Sequence, residues 1–300
     1  MIDATYPIRI LTEKTGVPTS TIRAWERRYH ILDVQRTSSG HRFYTDKDAA
    51  YVNQLVACMQ QGKTISKAIR EVDNRIAQGD LLAVSVEDVQ STQWQYYVDQ
   101  MLLATARFDT ILLNEIYNQA MALLTVDVIT DKVLCPTMVI LGERWQDRQA
   151  GIAEEHFFTT FLRNKLGARL HHQANIDGPL LVVACLPNER HELGILLLNL
   201  YLQSHGYRVT FLGADLPLSQ LPLVAEQAKA QAIILSSTAT QLSTDELLEL
   251  EQLSGKLAVP VMLGGSASLD GQLIDSNLHL LGSNFQQALQ VIRALVPSEW

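Results

Sequence analysis

Cysteine is scarce: Cys58, Cys135 and Cys185 are the only three in 300 residues, far apart and in apolar surroundings. They are too few and too scattered for a disulfide framework, and read as reduced core thiols of a cytoplasmic protein. Long apolar runs are missing too. No stretch of about 18 uninterrupted apolar residues occurs, so neither a bilayer span nor a membrane partner is expected. The opening "MIDATYPIRI" lacks the basic region and apolar core of an export signal. Neither a Ser-His-Asp nor a Cys-His pairing is evident, and "LGGSASLDG" has glycines without the spacing or the lysine of a phosphate loop. An enzyme is not expected.

What is present is unevenly spread. The net charge is −8, yet residues 1–70 hold 11 Lys and Arg against 6 Asp and Glu, while residues 71–300 hold 13 against 26. A basic head on an acidic body implies that the head alone meets a polyanion. The length exceeds what one small core needs, and two or three domains are the natural division.

The texture of the chain changes twice. In the head, "PIRILTEKTG" places Ile8, Leu11 and Thr15 on one helical face and stops at Gly16. "VPTSTIRAWERRYHIL" restarts after Pro18, with Thr19 or Ser20 as N-cap and Ile22, Trp25, Arg28 and Tyr29 at helical spacing. Two short helices around a Gly-Val-Pro turn form a helix-turn-helix pattern. "VQRTSSGHRFY" then alternates about Ser39-Gly40 as a hairpin would, and Asp46 is the expected cap of a further helix through Tyr51, Leu55 and Met59. Residues 71–90 are polar, contain Gly79 and read as a linker. From Thr92 to about His172 the periodicity is helical, with breaks expected at Pro136 and Gly151 and four helices packed as a bundle. From Gly178, the runs "LLVVACL", "YRVTFLG", "AIILSS", "PVMLGG" and "LHLLG" alternate with helix-length segments. That alternation predicts a parallel sheet covered on both faces, with ligands beyond the carboxyl ends of its strands.

The head resembles the N-terminal domain of MerR-family transcription regulators through "STIRAWERRY" followed by "RTSSGHRFY". The resemblance implies that the second helix enters the major groove of double-stranded promoter DNA. Thr21, Arg23 and Arg27 would then touch bases or phosphates, and Arg36, His41, Arg42 and Tyr44 of the wing would grip the flanking backbone. Guanidinium groups suit both targets, because they bind phosphates and guanine edges bidentately. Trp25 is assigned to the core.

Where the first sheet strand ends, the chain carries Glu189-Arg190-His191-Glu192 and then Gly194. One histidine cannot hold zinc by itself. It can give a single axial ligand to a metal that brings its own equatorial nitrogens, and Glu189 can hold the imidazole tautomer from behind. "ERHELG" resembles the Glu/Asp-x-His-x-x-Gly motif of cobalamin-binding domains. After Gly194 come 41 residues and then Ser236-Ser237-Thr238, where that family has Ser-x-Leu or Ser-x-Thr, and 25 residues later Gly264-Gly265. The resemblance implies His191 as the lower ligand of cobalt, with Glu189, Gly194, Ser236, Thr238, Gly264 and Gly265 lining the cofactor and the slot for its tail.

Trp145, nine residues and then Glu155-His156 resembles the Trp-x9-Glu-His signature of CarH-type cobalamin photoreceptor regulators, where it covers the upper face of the cofactor. The residue after the tryptophan is Gln146, where the best-understood pattern has a histidine that captures cobalt after illumination. A stable bis-histidine product from that position is therefore not expected. The fold class expected is multi-domain α and α/β: a winged helix-turn-helix in 1–75, a four-helix bundle in 90–175 and a Rossmann-like, flavodoxin-like parallel sheet in 176–300. The resemblance implies a cytoplasmic regulator controlled by cobalamin and working as a homo-oligomer, dimer or tetramer. Adenosylcobalamin is the first expectation, methylcobalamin and hydroxocobalamin the others. The alternatives are a MerR-type regulator that senses cobalamin level, another tetrapyrrole or a protein partner without photochemistry, and a corrinoid methyl carrier, which the fused head argues against.

Overall fold

The computed structural model describes residues 5–32, 35–36, 42–78, 86–144, 149–171, 177–273 and 278–298. The chain divides into two compact units, Met1–Phe158 and Thr159–Trp300, and the division falls inside a helix.

The first unit opens with α1 (Ile8–Thr15) and α2 (Thr19–Tyr29), followed by the two-stranded β1 (Gln35–Arg36) and β2 (Arg42–Phe43), then α3 (Asp46–Gln60) and α4 (Ile65–Ala77). Gly16 ends α1 in the left-handed conformation at φ 67°, where a side chain would be strained. Thr19 and Ser20 were the expected caps of α2, but the boundary falls one residue earlier. Pro18 takes the cap position with extended ψ, Thr19 is the first helical residue, and no side chain caps the end. A similar one-residue shift occurs at α3. Thr45 is the cap, accepting from the Asp48 amide while the Asp48 carboxylate accepts from the Thr45 amide, and Asp46 instead bonds Lys14 Nζ at 2.8 Å. Leu11, Val17, Ile22, Trp25, Leu55 and Val72 close the core of the head, so Trp25 sits where the periodicity places it.

The linker expected over 71–90 is corrected at both ends, while residues 79–85, with Gly79, lie outside the described residues. Helix α4 runs on to Ala77 because Ile65, Ala68, Ile69 and Val72 keep an apolar stripe beneath a charged surface, and α5 (Val86–Ala106) already starts at Val86. Then follow α6 (Thr110–Leu123), a short α7 (Val126–Val128), α8 (Cys135–Arg144) and α9 (Gly151–His171). Pro136 does not break the chain as expected. The six residues Ile129–Leu134 form a wider π-helical turn that carries α7 directly into α8. Proline offers no amide, and the Thr137 hydroxyl of α8 donates back to the Val133 carbonyl of this turn at 2.7 Å.

The second unit holds β3 (Leu180–Cys185), α10 (Leu193–Ser204), β4 (Arg208–Gly213), α11 (Leu221–Ala228), β5 (Ala232–Ser236), α12 (Thr244–Lys256), β6 (Val261–Gly264), β7 (His279–Gly282) and α13 (Phe285–Leu295). The five strands are parallel in the order β4-β3-β5-β6-β7. Each falls on one of the five apolar runs. Two separate cores flank the sheet. Val182, Ala184, Ile233 and Leu235 face one, and Leu181, Val183, Ile234 and Met262 face the other. Burial on both faces is why these strands read as continuous apolar runs rather than alternating ones. The order reverses between β3 and β5, so the loops that leave these neighbouring strands diverge and open a crevice at their carboxyl ends.

Candidate functional site

The crevice is lined by the segments after β3 and β5. Strand β3 ends at Cys185, and the chain turns through Asn188 in a left-handed conformation (φ 63°). The amide of Asn188 donates to Asp215 Oδ1 at 2.8 Å, and the Asp215 amide donates back to the Glu189 carbonyl at 3.0 Å. This loop therefore hangs from the end of β4 as well as from its own strand.

Glu189 is buried and ionised, and five donors converge on it. Its Oε1 accepts from the amide of His191 at 2.7 Å and faces His191 Nδ1 at 2.8 Å. Its Oε2 accepts from the Thr238 amide at 2.6 Å, the Thr238 hydroxyl at 2.8 Å and the Ser237 hydroxyl at 3.1 Å. Burial by itself would raise the carboxyl, but the hydrogen bonds from Thr238 and His191 outweigh it and lower it to about 2. An ionised carboxylate only accepts, so Nδ1 donates its proton to Glu189 and Nε2 is the ring nitrogen turned away from that bond. The His191 side chain is 74% exposed, while Glu189 behind it is 6% exposed. The arrangement is an oriented single nitrogen ligand on a rigid base. Among the described residues there is no cluster of three or more His, Cys, Asp or Glu able to hold a bare metal ion.

The structure brings Glu189, His191 and Thr238 into direct contact, with Ser236, Gly264 and Gly265 next to them. Ser236 pairs with Gly264 in the β5–β6 register. A methyl at Gly265 would lie 2.5 Å from the Ser237 carbonyl oxygen and 3.0 Å from Ser236 Oγ, so this glycine serves the protein's own close packing. At Gly194 a methyl would meet nothing within 4 Å, and at Gly264 only ordinary contacts with Leu281 and the Gly282 carbonyl oxygen. Ser237, Glu192 and Arg163 belong to the same site and were not among the expected cofactor residues. Glu192 and Ser237 stand inside the two sequence motifs, whereas nothing local marks Arg163. Its guanidinium pairs with the Glu192 carboxylate.

Glu155 and His156 lie on α9, half-buried and exposed respectively, and the exposed Ile152 (57%) precedes them by three and four positions on the same face. Trp145 and His41 lie outside the described residues, as does the side chain of Arg36, whose backbone pairs with Arg42.

In the head, Arg23 and Arg27 are exposed on α2 as expected. Two placements differ. The Thr21 hydroxyl is turned into the unit and donates to the Ala122 carbonyl at 3.1 Å. Tyr44 is fully buried and bridges to Tyr6, so it joins the core rather than a surface grip. Its hydroxyl donates to Glu26 at 2.6 Å, and Glu26 in turn lies 3.5 Å from Arg42 Nε. Tyr44 thus holds the acid that steadies the wing arginine.

A winged helix-turn-helix, a helical module and a parallel sheet with a carboxylate-backed histidine at its switch point have the architecture of a transcription regulator with a ligand-binding C-terminal half. Comparison with known proteins makes this specific. Residues 6–75 match the MerR HTH family regulatory protein model, and residues 97–170 and 179–278 match two B12 binding domain models. The HTH-type transcriptional repressor CarH of Myxococcus xanthus is 31% identical over 282 residues, 93% of this chain and 94% of CarH. The repressor CarA of the same organism is 26% identical over 87% of this chain and 86% of its own length. The monomethylamine corrinoid protein of Methanosarcina barkeri superposes with a TM-score of 0.51 at 18% identity, covering 67% of this chain and 99% of that one, a likeness of fold. The chain belongs to the CarH family of MerR-type regulators with B12-binding domains. No helix among the described residues is long and apolar enough to cross a membrane.

Proposed function

We propose that the protein sets its hold on double-stranded promoter DNA by binding a cobalamin, adenosylcobalamin in the physiological state, whose upper ligand is lost on illumination. The observation that carries this reading is the His191 imidazole, exposed at the switch point with Nδ1 fixed on a buried, ionised Glu189. This donor set suits a corrinoid, which would bring its own ring nitrogens and would need a single protein nitrogen to hold it. His191 is the residue that would hold cobalt from below. Glu189 and Thr238 would keep its ring upright, and the open space at Gly194 leaves room for a bulky ligand. Trp145, Glu155 and His156 are assigned to the upper ligand. When bound, the cofactor supplies a cobalt–carbon bond that light can break. Regulation follows if one assembly state binds the cofactor better than another. A homo-oligomer also presents several heads at once, and linking heads raises DNA affinity through effective concentration.

Reconstitution with adenosylcobalamin, followed by absorption spectra and size before and after illumination, tests the reading. Binding with a light-dependent spectral shift is expected, and His191→Ala should remove the protein-nitrogen coupling expected in the electron paramagnetic resonance of the Co(II) form. No binding would reject the cofactor, and binding without a light response would reject the photoreceptor. Gln146 favours one second reading, in which the protein reports cobalamin level without photochemistry.

For the head, replacing Arg23 and Arg27 together by alanine should weaken operator binding by about 1–3 kcal/mol for each base they read. Where an arginine grips phosphate instead, the slope of log affinity against log salt should fall by about 0.9 for each phosphate released. Titrations at several salt concentrations distinguish the two.

A further inference from the structure

A second ionic contact reaches the turn that carries His191, from a helix rather than from the sheet. Glu192 follows His191 directly and occupies the cap position of α10, yet its carboxylate makes no cap bond to that helix. It pairs with the guanidinium of Arg163 on α9. The two ends differ in environment: the Glu192 side chain is 11% exposed and that of Arg163 61%. A carboxylate this covered, left without its cation, carries a desolvation cost that an open surface pair does not. The space it occupies depends on Gly213, which stands at φ 79° with Glu192 Oε2 at 3.4 Å from where a methyl would be.

Arg163 stands seven residues after His156 on α9, two turns on and therefore on the same helical face. Helix α9 thus carries both the residues assigned to the upper ligand and the arginine bound to the turn of the lower one. Glu189 fixes the His191 ring to the sheet; the Arg163–Glu192 pair fixes α9 to the His191 backbone.

We infer that Arg163 is a positioning residue: through Glu192 it sets α9 relative to the His191 turn and so makes cobalamin affinity depend on the upper ligand. This rests on the reading of His191 as the lower ligand. A ligand that pushes on the face of α9 is then felt at the turn, and a disturbance of the turn is felt by α9. Without the pair, the turn still holds its histidine through Glu189, but α9 is no longer indexed to it.

The full-length protein serves for the test. In the apoprotein, Arg163→Ala and Glu192→Gln should each speed amide hydrogen exchange at Arg190–Leu193 by about fivefold, a small fraction of local opening. Unchanged exchange there would overturn the inference without reference to any cofactor. On loading, adenosylcobalamin affinity should fall about tenfold and hydroxocobalamin affinity less than about threefold, with Arg163→Lys recovering most of the loss. The nitrogen coupling of the Co(II) form should persist in all of these variants. Equal weakening of both cobalamins would refute a positioning role. A wild-type protein lacking nitrogen coupling would instead refute the assignment of His191, leaving the exchange result to decide on the pair.

Discussion

Glu189→Leu is expected to cost the sheet unit about 3–5 kcal/mol, because five donors aimed at one buried carboxylate lose their acceptor together. The acceptor they lose is itself buried, at 7% exposure, so a leucine there places apolar surface against the donors. Glu189→Gln fills the same volume and still fails in part: its NH2 group would face donors at Thr238 or at His191. The same carboxylate makes stability depend on pH. Its folded pKa of about 2 lies below its ordinary value of 4.5, so its contribution is complete above about pH 4.5 and drains away as pH falls towards 2. Urea midpoints at pH 3, 4, 5 and 7 should therefore drop at the acid end in wild type and much less in Glu189→Leu, where the titrating group is gone. A parallel acid drop in both proteins would show that Glu189 is not the group responsible. With His191 as the proposed lower ligand, loss of the orienting acid should cost about 10–100-fold in cobalamin affinity even where the fold survives, the range for acids that back metal-bound histidines.

These residues are not equally visible in the sequence. The five strands are legible because burial on both faces gives each strand an unbroken apolar run, and the His191 turn stands out as four ionisable residues interrupting such a run. Helix starts are off by one residue at Thr19 and Asp46. Proline at a cap and a Thr–Asp capping box decide those positions through backbone geometry rather than through composition. The first part of the expected linker is helix, hidden in the sequence because the apolar stripe of α4 is narrow beside its charged face. Tyr44 looks like a wing residue because its neighbours are basic, but the strand places its ring inward on Tyr6 and Glu26. Arg163 carries no local mark at all. Its meaning comes from a carboxylate brought to it by the fold, and long-range ion pairs of this kind have no periodicity to read.

The site also rests on a point where no side chain is tolerated. Gly265 has φ 79° and ψ −167°, a region that is effectively reserved for glycine and costs other residues about 1–3 kcal/mol. Alanine there adds a second penalty, since its methyl would sit 2.5 Å from the Ser237 carbonyl oxygen, backbone that cannot swing aside without moving the β5 loop. Overpacking of this kind costs about 1–3 kcal/mol more, so Gly265→Ala should destabilise the unit by about 2–6 kcal/mol. Relief would come from displacing Ser237 and Thr238, the residues that supply three of the five bonds to Glu189. A clash beside β6 should therefore reach the imidazole after β3, loosening the His191 ring before the sheet itself unfolds. Gly264→Ala provides the contrast, because a methyl there meets the Leu281 side chain at 3.7 Å and the Gly282 carbonyl oxygen at 3.8 Å, both ordinary contacts. Chemical denaturation of the two variants, with the His191 ring proton resonances followed by NMR, should show a large loss and a shifted imidazole for Gly265→Ala and little of either for Gly264→Ala. Equal behaviour of the two would mean that the Ser237–Gly265 approach does not hold the histidine's support in place.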